Sequence, residues 1–335
     1  MKARGAIQSP NHPIAQSPNS VLVLKPSSLG DIVHTLPAVA LLKKAWPHSR
    51  LCWLVNSEWV PLLDGNPHID EVVEFPRKKF RGAGGLLRIA PWARALRERV
   101  RADLVLDFQG LLRSALIARL CRADGGRIVG LSDAREGARH FYDETVDVSG
   151  QTHAVDRYLV LVAALGIDSS PPIEWPLPQG TVPAGFDTAE PFILLHPFSR
   201  GARKSLTPDE IADFCHALAP HRIVLAGRSD TPVTEAANVT NLLHRTTLPE
   251  LIWLLRRAAF TVSVDSGPMH IAAALGPRLL SIHTWSDPRK VGPYHPDAWI
   301  WKDRALFQMK DLAKPAAHRP TASIADLARF VAAQL

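Results

Sequence analysis

A carboxylate three residues beyond a serine at a strand-to-helix turn can take a proton from an alcohol, and this chain has one in Ser27-Ser28-Leu29-Gly30-Asp31, with His34 one turn further on. Asp31 placed there can face a cleft, and Gly30 lets backbone approach a bound molecule closely. The same carboxylate can equally cap the helix or complement its dipole, and spacing leaves both roles open. A second group is Asp265-Ser266-Gly267-Pro268-Met269-His270, followed by the apolar Ile271 to Leu275. Backbone N–H groups of a glycine turn at a helix N-terminus hold phosphate oxygens, and Ser266 and His270 add side-chain donors. A capped helix carrying an ordinary histidine is the plainer alternative. Third comes the loop His196 to Ser205, where Ser199, Arg200, Arg203 and Lys204 gather cations, each of which alone reads as solvated surface.

The fourth feature is electrostatic. Between Arg77 and Arg101 lie nine cations, among them Lys78, Lys79 and Arg81, against Glu98 alone. Such a segment attracts a polyanionic acceptor or an acidic membrane face, and a solvated helix face accounts for it equally well. Nucleic acid is not expected as a partner, because aromatic residues are not interleaved with the cations as a base-stacking platform requires.

Elements that can position these groups follow from periodicity. Val21 to Leu24 reads as a strand, then a polar loop, then apolar residues at helical spacing, and the pattern returns at Arg50 to Val55 and at Leu104 to Asp107 before Leu112, Ala115, Leu116 and Leu120. Alternation of this kind means a parallel sheet covered by helices. Pro171, Pro172, Pro176, Pro178 and Pro183 mark a connector, and the grammar restarts at Phe192 to Leu195. Thr207-Pro208-Asp209-Glu210 is a capping box with proline at the first helical position, and Thr247 to Glu250 repeats it. Strands follow at Arg222 to Ala226, Phe260 to Val264 and Leu279 to His283, and Ile324, Leu327, Phe330 and Val331 form one face of a terminal helix. Ligands of open α/β sheets bind outside the carboxyl ends of the strands, where every polar loop above should fall.

A length of 335 residues implies two domains, and 46% apolar with 21% charged residues is ordinary globular usage. No apolar run approaches the ~20 residues of a membrane crossing, so a soluble protein is expected. The net charge of +7 favours anionic partners without naming them. Cys52, Cys121 and Cys215 lack CxxC spacing, so neither zinc nor a disulfide framework is expected and a reducing cytosol fits best. Neither GxxxxGK[ST] nor GxGxxG follows a strand, which weighs against P-loop and dinucleotide chemistry.

Four ordered motifs together resemble glycosyltransferase family 9, the ADP-heptose:lipopolysaccharide heptosyltransferases, and within it most closely the heptosyltransferase I type. They are Lys25-Pro-Ser-Ser-Leu-Gly-Asp-Ile-Val-His-Thr-Leu-Pro37, Asp107-Phe-Gln-Gly-Leu-Leu-Arg-Ser114, Ser132-Asp-Ala-Arg-Glu-Gly137 and Ser263-Val-Asp-Ser-Gly-Pro-Met-His-Ile-Ala-Ala-Ala-Leu275. The resemblance implies a GT-B fold, two Rossmann-like α/β domains facing across a cleft. Its expected boundaries are a disordered extension over 1–20, an acceptor domain over 21–178, a linker over 179–190, a nucleotide-sugar domain over 191–320 and a helix over 321–335 packing back on the first domain. By the same resemblance Asp31 is the general base, and Ser199, Lys204, Thr246, Asp265, Ser266, Gly267 and His270 hold the donor, with Thr246 at the adenine. Ser28, Gly30, Lys78, Lys79, Arg81, Arg113 and Arg135 meet the acceptor. The residue that contacts the ribose after Gly227 stays unassigned.

The implied reaction is inverting transfer of L-glycero-D-manno-heptose from ADP-heptose to a Kdo hydroxyl of Kdo2-lipid A, without cofactor or metal. A monomer at the cytoplasmic face of a Gram-negative inner membrane is expected. The rivals are a family member that adds a later heptose or another sugar, and a nucleotide-binding protein without catalysis.

Overall fold

The computed structural model describes residues 17–80, 82–170, 172–200, 204–230, 232–233, 236–321 and 323–335. Most of the expected N-terminal extension, residues 1–16, and Arg81 therefore lie outside the described residues. The chain divides into two compact units, Met1–Leu177 and Pro178–Leu335. The division falls within the proline-rich stretch, where fixed φ angles and missing N–H donors discourage helix and ladder alike.

In the first unit the order is β1 (Ser20–Leu24), α1 (Leu29–Ala45), β2 (Arg50–Asn56), β3 (Glu71–Phe75), α2 (Ala83–Arg99), β4 (Ala102–Asp107), α3 (Leu112–Cys121), β5 (Arg122–Leu131), β6 (Glu144–Val146) and α4 (Ala154–Ala164). The six strands form one sheet in the order β3-β2-β1-β4-β5-β6, every pair parallel. Leu22, Leu24, Leu54 and Val105 are buried in its core, the continuous apolar reading expected of strands covered on both faces. Chain order reverses direction between β1 and β4, which makes the carboxyl ends of those strands a topological switch point.

The second unit contains β7 (Ile193–His196), α5 (Pro208–Ala217), β8 (Ile223–Leu225), β9 (Val239–Asn241), α6 (Leu248–Arg257), β10 (Phe260–Val264), α7 (Gly267–Leu275), β11 (Leu279–His283), α8 (Pro288–Val291), β12 (Trp299–Lys302), β13 (Ala305–Gln308), β14 (Arg319–Pro320) and α9 (Ile324–Ala332). The sheet runs β14-β13-β12-β11-β10-β7-β8-β9, with its switch point between β7 and β10. Five strand pairs are parallel, while β12 to β13 and β13 to β14 are antiparallel, an edge that the parallel expectation did not contain.

The expected capping boxes form. Thr207 accepts from the Glu210 N–H at 3.2 Å and Glu210 accepts from the Thr207 N–H at 2.8 Å, and Thr247 pairs with Glu250 in the same way. The terminal helix α9, expected on the first domain, buries Leu327, Ala328 and Val331 in the second unit's own core, where α9 packs on α5. Cys52, Cys121 and Cys215 are buried, unbridged thiols. Among the described residues no helix is long and apolar enough to cross a membrane.

Candidate active site

Asp31 sits in the first turn of α1, and both readings of it meet in one side chain. Its Oδ2 accepts from the Ser28 N–H at 2.9 Å and from the Ser28 hydroxyl at 2.6 Å, which closes the helix start. Its Oδ1 stands 3.9 Å from Lys25 Nζ, and the side chain remains 41% exposed, so capping does not bury it. Lys25 follows the carboxyl end of β1, is itself buried, and donates to the Phe108 carbonyl at 2.9 Å. Burial works against its charge, but Tyr158, Asp31 and Asp107 outweigh that and hold its pKa above the ordinary lysine value.

Around these groups lies a pocket of about 360 Å³ lined by Lys25, Asp31, Phe108, Gln109, Gly110, Leu131, Asp133, Ala134, Arg135, Arg157 and Tyr158. It occupies the carboxyl ends of β1, β4 and β5, the switch point of the first sheet. Its floor is fixed by Asp107, which accepts from the N–H groups of Gln109 and Gly110 and from the hydroxyls of Ser114 and Tyr142. Burial pushes the Asp107 carboxyl above its usual range despite those four donors. Gly110 holds φ at +67°, and a Cβ there would meet Ala134 at 3.2 Å. Its carbonyl accepts from the Arg135 N–H at 2.8 Å, so this glycine sets the loop bearing Arg135 against the loop after β4.

Asp31, the expected base, lines the pocket; of the expected acceptor residues, Arg135 lines it too, Ser28 caps α1, and Gly30 is buried within α1. Arg113 lies elsewhere, its guanidinium 5.8 Å from the Phe75 ring centroid. Lys78 and Lys79 are exposed on the short turn after β3, with Lys78 Nζ 3.6 Å from Glu58. Two aromatic residues do lie within the basic segment, Phe80 and Trp92, and both stack edgewise or tilted on Phe75 rather than offering faces to bases. Lys25, Gln109, Asp133, Arg157 and Tyr158 are pocket residues to which sequence reasoning gave no role. Lys25 stood in the first motif and was within reach; Arg157, ion-paired with Asp133, and Tyr158 arrive from α4, with no local signal.

At the second switch point the loops after β7 and β10 are tied together. The Ser199 hydroxyl donates to the Asp265 carbonyl at 3.0 Å, and Lys204 Nζ donates to Asp265 Oδ2 at 2.6 Å. Burial opposes ionisation of Asp265, but Lys204 and Ser286, with His270 nearby, hold its carboxyl below the usual range. Ser266 is the N-cap of α7, with its Oγ 3.4 Å from His196 Nδ1, and Gly267 and Pro268 open the helix. Burial pushes His196 down to about 4, so its ring is neutral near pH 7. Gly227, at φ +132°, leaves room for that ring, since a Cβ would come within 3.1 Å of His196 Nε2. Thr246 is half-buried in the loop between β9 and α6, at the far side of the β7 edge. His196, Trp285 and Ser286 are additions that the motif reading assigned no part.

The arrangement of an uncapped helix N-terminus, hydroxyls and an ammonium suits a phosphorylated ligand in the second unit, and a carboxylate in a basic pocket suits a polar acceptor in the first. Residues 89–320 match the pattern of glycosyltransferase family 9 (heptosyltransferase).

The chain belongs to that family.

Lipopolysaccharide heptosyltransferase 1 of Salmonella typhimurium is 30% identical over 313 residues, covering 82% of this chain and 91% of the relative. Lipopolysaccharide heptosyltransferase 3 of Escherichia coli is 26% identical over 284 residues, with 77% and 81% covered. The solved structure of E. coli heptosyltransferase WaaC with ADP superposes with a TM-score of 0.76 at 24% identity, covering 94% of this chain and 100% of that one. The fold is thus GT-B, and this glycosyltransferase carries one α/β sheet in each unit, as the resemblance implied.

Proposed function

We propose that this family 9 glycosyltransferase is of the heptosyltransferase I type, moving L-glycero-D-manno-heptose from ADP-heptose to a Kdo hydroxyl of Kdo2-lipid A with inversion. The observation that carries the reading is the first unit's pocket, where a partly exposed carboxylate shares the wall with Lys25, Arg135 and Arg157. An acidic sugar fits such a pocket, its carboxylate drawn to the cations while a hydroxyl is offered to Asp31.

The acceptor oxygen forms its bond to the anomeric carbon as the bond from that carbon to the diphosphate breaks, and the hydroxyl proton passes to Asp31. Lys204, Ser266 and the Gly267 N–H stabilise the charge that grows on the departing ADP, a gain largest in the transition state. The remaining donor residues, Ser199, Asp265 and His270, hold this turn in shape, and Thr246 stands where the adenine would lie. Lys78 and Lys79 are exposed cations, which supports a lipid acceptor met at the cytoplasmic face of an inner membrane. The same reading takes the enzyme to act as a monomer.

Similarity to both heptosyltransferase 1 and heptosyltransferase 3 relatives supports a second reading, addition of a later heptose. Mass spectrometry of products formed from ADP-heptose with Kdo2-lipid A, or with an acceptor already heptosylated, separates the two. Product only on the heptosylated acceptor would replace the first reading with the second, and no product on either would remove both.

A further inference from the structure

Trp285 is out of keeping with its surroundings. It follows the carboxyl end of β11, and its side chain is 66% exposed in a loop whose neighbours are anchored. The next residue, Ser286, is buried, lies 3.0 Å from His283 Nδ1 through its hydroxyl and is bonded to the Asp265 carboxylate. Two residues on, Asp287 caps α8 by accepting from the Arg289 N–H at 3.0 Å. The indole is thus held on a braced loop, at the end of the sheet where ligands of such folds bind. Lys204 Nζ, which reaches Asp265, lies 5.7 Å from the ring centroid. A large flat apolar face therefore stands beside the ammonium proposed to meet the donor phosphates.

Topology tells which part of a donor would reach that face. Across the carboxyl edge the strands run β11-β10-β7-β8-β9, with the phosphate turn at β10 and β7. Thr246 follows β9 on one side and Trp285 follows β11 on the other. At ~4.8 Å between neighbouring strands, the distance from β9 to β11 is about 19 Å, the scale of an extended nucleoside diphosphate sugar. A nucleoside on the β9 side and a diphosphate over β7 and β10 leave only the sugar for the β11 side. Pyranose rings present C–H groups on one face, and these pack well on an aromatic plane.

We infer that Trp285 is the donor-sugar platform of this enzyme, a specificity-determining residue that stacks on the heptose of the bound nucleotide sugar. This rests on the donor reading above. Trp285 enlarges the difference in affinity between ADP-heptose and ADP, and so biases the site toward loaded donor over product.

The test is titration calorimetry of ADP and of ADP-heptose with the wild-type chain, Trp285→Ala and Trp285→Phe, with melting temperatures confirming that each variant folds. The expected result is that Trp285→Ala weakens ADP-heptose about tenfold while ADP changes less than twofold, and that Trp285→Phe recovers most of the loss. Equal weakening of both ligands would place the indole on the nucleotide instead and overturn the inference. A wild-type preference for ADP-heptose that survives intact in Trp285→Ala would overturn it while leaving the donor reading in place. Absence of any heptose-dependent preference in the wild type would remove the donor reading and this inference together.

Discussion

The two switch points are built from the same parts and differ in who supplies the negative charge. At the first, a lysine follows the strand, the helix begins two residues after Ser27, and the protein's own carboxylate fills the helix start, Asp31 accepting twice from Ser28. At the second, the carboxylate comes just after the strand, where Asp265 is engaged by Lys204, and α7 begins with no acidic residue in its first turn and no side-chain cap. A helix N-terminus carries roughly half a positive charge and several unsatisfied N–H groups. The first unit has already answered that demand with its own carboxylate. The second has left it open, and in the proposed reading a donor phosphate completes it. In the proposed reading one sheet design thus yields a proton acceptor in one unit and an anion holder in the other, by moving an aspartate from the helix's first turn to the residue just after the strand before it.

The sharpest way to break this contrast is to remove the carboxylate's charge while keeping its cap. In Asp31→Asn a side-chain oxygen can still accept from Ser28, so α1 should start as before, and the melting temperature checks that. Turnover should fall about a thousandfold, the middle of the range for loss of a general base, with ADP affinity unchanged. Retention of more than a tenth of the wild-type rate would leave Asp31 only its capping role.

The second-largest effect concerns the histidine behind the open helix start. His196 titrates at about 4 in the folded chain because it is buried, against about 6.5 when unfolded. The unfolded chain therefore binds a proton in that window and the folded chain does not, so stability present above pH 6.5 declines as pH falls toward 4. Over those 2.5 units the decline from this residue is about 3 kcal/mol. Denaturant melts at pH 7 and pH 4.5 should show a smaller difference in His196→Asn than in wild type. His283, also pushed down to about 4 by burial, keeps part of the slope in both. Identical slopes would mean that His196 takes up its proton without cost in the fold.

Lys204 sharpens the comparison from the other side. Lys204→Met should weaken ADP about thirtyfold, close to 2 kcal/mol, the scale of a charge-assisted hydrogen bond. It should also destabilise the fold, since Asp265 is buried and would lose its cation. Adding Asp265→Asn should restore part of that stability and none of the ADP binding. Recovery of binding in the double variant would show that Lys204 serves the aspartate and not the phosphates.

These contrasts were unevenly legible in the sequence. Strands β1, β7, β10 and β11 and the helix starts at Thr207 and Thr247 were readable because apolar runs and capping residues act over a few neighbours. The antiparallel edge was not, for Trp299–Lys302 and Ala305–Gln308 are short, and their pairing is decided by the sheet they join. Asp31 and Asp265 stood out because each belongs to a compact motif, whereas Lys204 took its role only from the family resemblance. Arg157 and Tyr158 did not, since only the packing of α4 brings them to a loop some fifty residues earlier. Trp285 escaped notice because an apolar residue between a strand and a proline carries no signal until its exposure is seen.

The smallest expected effect tests why a lysine should be buried at the first switch point at all. Lys25 is positively charged inside the fold, held by the Phe108 carbonyl and within 3.9 Å of Asp31, and Asp107 and Tyr158 also favour its charge. The other charged groups on the same pocket, Asp133, Arg135 and Arg157, partly cancel, because Asp133 and Arg157 are paired. Lys25 is then the cation that faces Asp31, the proposed proton acceptor, most directly. Lys25→Met removes that charge and should lower kcat/KM about tenfold, and Lys25→Arg should recover part of the loss, with melting temperatures confirming that each variant folds. A loss that Lys25→Arg leaves unrelieved would reduce Lys25 to a packing residue and leave the carboxylate to the helix start alone.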